Sequence, residues 1–252
     1  TLDRVLVATI ALLALASFES VAPLQEAARE LSSTLAAGRR VLELMDRETI
    51  RAVEAWQPMG LDVDTDALLV AQFDGGSGAA QGDADRLVAV CEQFGAVEAY
   101  RSEDPVQSEL LLGARRMAIP AIEALGDWLL DDVAVPRTRL AEAMVRIEQI
   151  GSQRDVRICT FGHAGDGNLH PTIVTPRGDQ DAAARALLAF DDILEVSLSL
   201  GGTVTGEHGI GNLKARALAR ELEPPAIDLH ARIKHAWDPE GILNPGKALP
   251  RW

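Results

Sequence analysis

Two glycine-rich stretches hold three of the chain's five histidines. The first, FGHAGDGNLH over residues 161–170, carries His163 and His170. Their spacing would suit two helical turns, but Gly162, Gly165 and Gly167 in so short a run argue against helix. A strand, a tight turn through 165–167 and a returning strand fit better. That geometry puts both imidazoles at the mouth of one hairpin, close enough to share a metal ion. The second stretch, GGTVTGEHGIG over residues 201–211, sets Glu207 beside His208 on a backbone that glycine leaves permissive. Two histidines and a glutamate make a suitable three-ligand set for Zn²⁺ or a similar divalent ion, with a position left open for substrate. Neighbours in an extended segment point to opposite sides, so Glu207 and His208 are expected to serve different tasks.

The elements that must position these loops follow from pattern. Residues 156–161 and 169–174 read as the two hairpin strands, and 179–200 as the helix leading into the second loop. An amphipathic helix is expected over 138–150, with Leu140, Met144, Ile147 and Ile150 on one stripe. Upstream, 67–73 reads as a strand, 74–83 as a flexible turn, 85–94 as a helix and 96–100 as a short strand. Residues 105–125 read as one helix kinked at Pro120 and carrying Arg115, and 128–135 as extended chain ending at Pro136. Helices over 213–221 and 225–237 precede a Pro/Gly-punctuated tail. The Ala- and Leu-rich residues 1–49 read as helical, with Pro23 opening a second helix that runs to about Met45. The fold class expected is α+β, an antiparallel sheet layered with helices and preceded by an N-terminal helical segment. No dinucleotide-binding fingerprint follows a first strand.

Composition narrows the function. The net charge of −14 makes a nucleic-acid partner unexpected, because phosphate backbones demand basic surface. An anionic substrate would therefore need a local cluster of positive groups or a metal. Cys91 and Cys159 lie in apolar stretches and read as buried reduced thiols of a cytoplasmic protein, with a peripheral place at the inner face of the membrane as a variant of that reading. The longest apolar run, residues 5–16, is too short to span a bilayer. Position 1 is Thr, so the chain is expected to begin inside a longer reading frame.

GHAGDGNLH, GGTVTGEHGIGNLKA and IKHAWDPEGILNPGKAL, in that order and spacing, resemble the C-terminal domain of FAD-linked oxidases. That family includes D-lactate dehydrogenases, D-2-hydroxyglutarate dehydrogenase and the FAD subunit of bacterial glycolate oxidase. ELMDRETIRAVE at 43–54 and ARRMAIPAI at 114–122 are most similar to the glycolate-oxidase type. The resemblance implies a ferredoxin-like α+β domain, FAD held mostly by an upstream domain, and a divalent metal, zinc by its donor set. It implies His163, His170 and Glu207 as metal ligands, His208 as general base, and Arg115 as the grip on the substrate carboxylate. Asn168, Asn244 and Lys247 match positions near the flavin, although Asn244 before Pro245 also suits a plain turn. A small 2-hydroxy acid is the implied substrate, with an electron acceptor or iron–sulfur subunit as partner.

The implied chemistry is coherent. Oxidising a 2-hydroxy acid removes the hydroxyl proton and moves a hydride from Cα to flavin. A chelated divalent ion lowers the hydroxyl pKa, and a neutral histidine takes the proton. Two departures stand out. Some relatives carry a lysine in the strand before the Asp132-to-Pro136 element, where this chain has Leu129-Leu130-Asp131. In addition, residues 11–44 resemble the end of the last membrane helix of an ABC exporter, which suggests a foreign segment over 1–42 and the oxidase domain over 43–252. The chain alone is then expected to be inactive. The residues themselves leave two alternatives: a metal-dependent hydrolase built on the same His-His-Glu set, or an inactive fragment.

Overall fold

The computed structural model describes residues 8–15, 40–73, 77–102 and 104–247. The sheet runs β4-β1-β3-β2-β7-β8-β5, with the short β6 also paired to β8. Its strands are β1 (Ala8–Leu15), β2 (Arg40–Asp46), β3 (Ala67–Phe73), β4 (Ala96–Ser102), β5 (Asp127–Leu130), β6 (Val133–Ala134), β7 (Arg157–His163) and β8 (Asn168–Thr175). Every pairing is antiparallel. The helices are α1 (Arg47–Trp56), α2 (Ser77–Gln93), α3 (Pro105–Arg116), α4 (Ala118–Leu125), α5 (Leu140–Arg154), α6 (Gln180–Ser199), α7 (Ala215–Glu221) and α8 (Pro224–Trp237). The α+β class and the layered antiparallel sheet hold.

Both faces of the sheet are covered, and alternation along each strand sorts side chains between them. On one face Leu42, Leu44, Leu69, Phe73, Ile158, Leu169 and Ile173 pack with Met144 and Ile147 of α5 and Phe190 and Ile193 of α6. On the other, Met45, Leu68, Val70, Phe161 and Val174 pack with Ile50 and Val53 of α1 and Ile122 of α4. Glu43, Phe161, His163 and His170 share the parity of this second face. Asp46 fastens β2 to α1: one carboxylate oxygen accepts from Thr49 N at 2.7 Å as the helix cap, the other from Thr160 N at 2.8 Å.

The helical reading of the N-terminal region is corrected where the structure describes it. Residues 8–15 form a strand paired with both β3 and β4, and residues 40–46 a strand paired with both β3 and β7. Leu42, Glu43, Leu44 and Met45 are all buried, so a strand covered on both faces hides the period-two signal behind a continuous apolar run. A boundary between 42 and 43 would fall inside β2. Residues 16–39, with Pro23 and Phe18, lie outside the described residues.

Two smaller differences have local causes. Residues 77–83, expected as turn, belong to α2. The 105–125 helix divides at Met117 rather than kinking at Pro120. Pro120 then lies in the first turn of α4, where a missing N–H removes no intrahelical bond. Cys91 and Cys159 are free and buried, and burial pushes the Cys91 thiol up to about 12.

Candidate active site

The β7–β8 hairpin sets the first two histidines. Its register pairs His163 with Asn168 and Phe161 with His170, so the imidazoles lie on one face with ring centroids 5.4 Å apart and planes near perpendicular. The turn depends on Gly167, whose φ of +76° is left-handed and whose Cβ, if present, would stand 2.2 Å from the Val135 carbonyl oxygen. His170 is buried, and that burial pulls its pKa down to about 4 against the opposing pull of Asp132. It is therefore neutral near pH 7, the form that can donate a lone pair to a metal.

The second loop is held from behind by a residue that the sequence reading used only as a landmark. Asp132 Oδ2 accepts from the backbone N–H groups of Gly206, Glu207 and His208 at 2.9, 2.9 and 2.8 Å. Three successive N–H groups on one oxygen require curled backbone, a nest for an anion, and not the extended run expected. Burial raises the Asp132 pKa, but the N–H donors of His208 and Glu207 and the Lys214 charge outweigh it and hold the carboxyl below its usual range. Beside it, burial pushes Asp131 up to about 6 while Lys214 opposes this from 2.8 Å. Asp131 is thus committed to a buried ion pair with Lys214.

The curl brings Glu207 and His208 to the same histidines. Glu207 Oε1 stands 3.8 Å from His163 Nε2, and the His208 ring stacks on His170 at 5.0 Å and 11°. Among the described residues, two groups bring potential ligand atoms within 4.8 Å of one another: His163, His170 and Glu207, and Asp132, His170 and His208. Donors arranged tetrahedrally about 2.1 Å from zinc stand about 3.4 Å apart, so the first set needs only small side-chain adjustments to close on one ion.

Arg115, in the last turn of α3, reaches the same place. Its Nε donates to Glu43 Oε2 at 2.9 Å and its guanidinium lies over the Phe161 ring at 4.4 Å. Glu43 Oε1 meets His163 Nδ1 at 3.0 Å. Glu43 and Asp132 are the functional candidates that sequence reasoning missed. Their signals were an acidic residue inside the apolar run VLELM and the Asp at the head of the Asp132-to-Pro136 element.

The flavin-side residues divide. Asn168 is buried beneath the second loop with neither amide atom hydrogen-bonded, and a Cβ on Gly206 would stand 2.7 Å from it. Asn244 and Lys247 instead edge an apolar cavity of about 750 Å³ formed with Ile210, Leu218, Leu222 and Trp237. Asn244 has φ +46° and its carbonyl accepts from Lys247 N at 3.2 Å, so it does make the turn its neighbour Pro245 suggests.

Residues 9–248 match the family model for FAD linked oxidases, C-terminal domain. The chain belongs to that family. The match includes nearly all of β1, all of β2 and the whole of residues 11–44, the stretch read from sequence as exporter-like. Glycolate oxidase subunit GlcD of Bacillus subtilis is 37% identical over 94% of this chain and 50% of its own length. The Escherichia coli K12 subunit of the same name is 33% identical over 96% and 48%. A D-lactate dehydrogenase of Anaerostipes hadrus is 32% identical over 82% and 46%. The chain therefore spans about half the length of these relatives. Two solved structures share the fold: p-cresol methylhydroxylase, at TM-score 0.71, 13% identity, covering 96% of this chain and 53% of that one, and 4-ethylphenol oxidase from Gulosibacter chungangensis, at 0.72, 15%, 97% and 54%. At those identities the likeness concerns fold alone. No helix among the described residues is long and apolar enough to cross a membrane.

Proposed function

We propose that the chain is the substrate- and metal-binding part of an FAD-dependent dehydrogenase that oxidises a glycolate- or D-lactate-like 2-hydroxy acid to the 2-oxo acid. The observation that carries this is the placement of potential ligand atoms of His163, His170 and Glu207 within 4.8 Å of one another, with His208 stacked on His170 and Arg115 one carboxylate away from His163. His163, His170 and Glu207 hold a divalent ion, zinc by its donor set. Arg115 grips the substrate carboxylate, exchanging part of its bond to Glu43 for the incoming anion. His208, the most exposed imidazole of the cluster, takes the hydroxyl proton. When bound, the ion lends Lewis acidity toward the hydroxyl oxygen and FAD accepts the hydride. The unpartnered amide of Asn168 and the polar rim of Asn244 and Lys247 on the apolar cavity suit contact with the flavin.

Family membership favours this over a metal-dependent hydrolase, which gives the tail no task. The electron acceptor or iron–sulfur partner is carried over from the family as part of the proposal. The test is anaerobic mixing of the full-length flavoprotein that contains this chain with glycolate or D-lactate, before and after chelation. Flavin bleaching that is lost on chelation and restored by zinc is the expected result. Bleaching indifferent both to chelation and to His163→Ala would overturn the metal-assisted reading.

A further inference from the structure

Both candidate ligand histidines turn the same ring nitrogen toward a buried carboxylate outside the ligand set. His163 Nδ1 stands 3.0 Å from Glu43 Oε1, while its Nε2 faces Glu207. His170 Nδ1 stands 3.7 Å from Asp132 Oδ1, a little beyond hydrogen-bond reach, and neither of those two buried atoms has a hydrogen-bond partner of its own. The Glu43 and Asp132 side chains are only 11% and 1% exposed. Neither can turn to water for compensation.

A neutral imidazole has one N–H and one lone pair, and an ionised carboxylate can only accept. A carboxylate at Nδ1 therefore draws the proton there and leaves the lone pair on Nε2. Free histidine favours the opposite tautomer, so the preference has to be imposed by the protein. Asp132 does a second task with its other oxygen, gathering the N–H groups of residues 206–208 and so tying the His170 ring to the loop that carries Glu207. We propose that Glu43 and Asp132 are positioning residues that hold His163 and His170 in the Nδ1–H tautomer and present Nε2 of both rings to a divalent cation. This rests on the ligand set proposed above. The alternative grouping, in which Asp132 is itself a ligand, would spend His170 Nδ1 on the metal.

The test is long-range proton–nitrogen NMR on the full chain with isotope-labelled histidine, metal-free and at alkaline pH where imidazoles are neutral. Both rings should carry the proton on Nδ1, and added zinc should shift the Nε2 resonances. Glu43→Gln should let His163 populate the other tautomer and weaken zinc binding by about 10–100-fold, the usual cost of losing such a partner. Asp132→Asn should do the same at His170. If that variant fails to fold, the wild-type tautomers still decide the matter. Rings protonated on Nε2 in the wild type, or zinc bound through His170 Nδ1, overturn the positioning role even if zinc binds well. Wild-type rings in the Nδ1–H form without zinc uptake would instead overturn the ligand set, and with it the cation half of the proposal.

Discussion

Glu43 and His163 are direct cross-strand partners on β2 and β7, and the same carboxylate that meets His163 Nδ1 accepts from Arg115 with its other oxygen. One buried side chain thus joins the residue proposed to grip substrate to a residue proposed to hold metal. Changes on either side of Glu43 should be felt on the other.

Arg115→Ala removes a charge-assisted contact to the substrate carboxylate. A hydrogen bond to a charged group contributes about 1.5–3 kcal/mol, so KM should rise roughly 10- to 100-fold, with Arg115→Lys recovering part of the loss. An unchanged KM in steady-state assays of the full-length flavoprotein carrying the change would remove Arg115 from the substrate site.

The hairpin depends on the packing beneath it. Ile173 of β8 is fully buried between the sheet and α5 and α6. Ile173→Ala should lower stability by about 2–5 kcal/mol in urea unfolding. A change below 1 kcal/mol would mean that this face of the sheet is not packed as described.

The hairpin and the second loop were legible because glycine blocks excluded helix around His163, His170, Glu207 and His208. The stripe Met144, Ile147 and Ile150 was equally plain, since α5 buries one side only. β1 and β2 were not. Leu42 and Leu44 face one core and Met45 the other, so no alternation survives to be read, and Ala and Leu are good helix formers. Glu43 and Asp132 were missed for another reason. Their meaning comes from partners 120 and 76 residues away in sequence, which only the sheet register and the curl of the second loop bring together.

Acid should act on His170 with a definite sign. Its value falls from 6.5 to about 4 in the folded chain, so between those limits the unfolded chain binds a proton that the folded one refuses. The stability this residue contributes is fully present above about pH 6.5 and is lost as pH falls toward 4. Comparing unfolding of the wild type with His170→Gln across that window should show the variant losing less. Parallel curves would show that His170 titrates alike in both states.

The chain by itself should not hold FAD in stoichiometric amount. Asn244, Lys247 and the apolar cavity beside them offer the flavin one side only, and Trp237 and Leu243 are 82% and 55% exposed there. The purified chain should be colourless and inactive toward 2-hydroxy acids. Stoichiometric yellow FAD after gel filtration would contradict this.

The central claim, that His163, His170 and Glu207 hold the ion while His208 takes the proton, is tested most directly by rapid anaerobic flavin reduction in paired variants of the full-length flavoprotein that contains this chain, with metal content measured on the same samples. Glu207→Gln should lose metal first and turnover as a consequence. His208→Asn should keep its metal and slow flavin reduction by about 10²–10⁴-fold. Loss of metal in His208→Asn with metal retained in Glu207→Gln would reverse the two assignments, and normal flavin reduction in both would contradict the account.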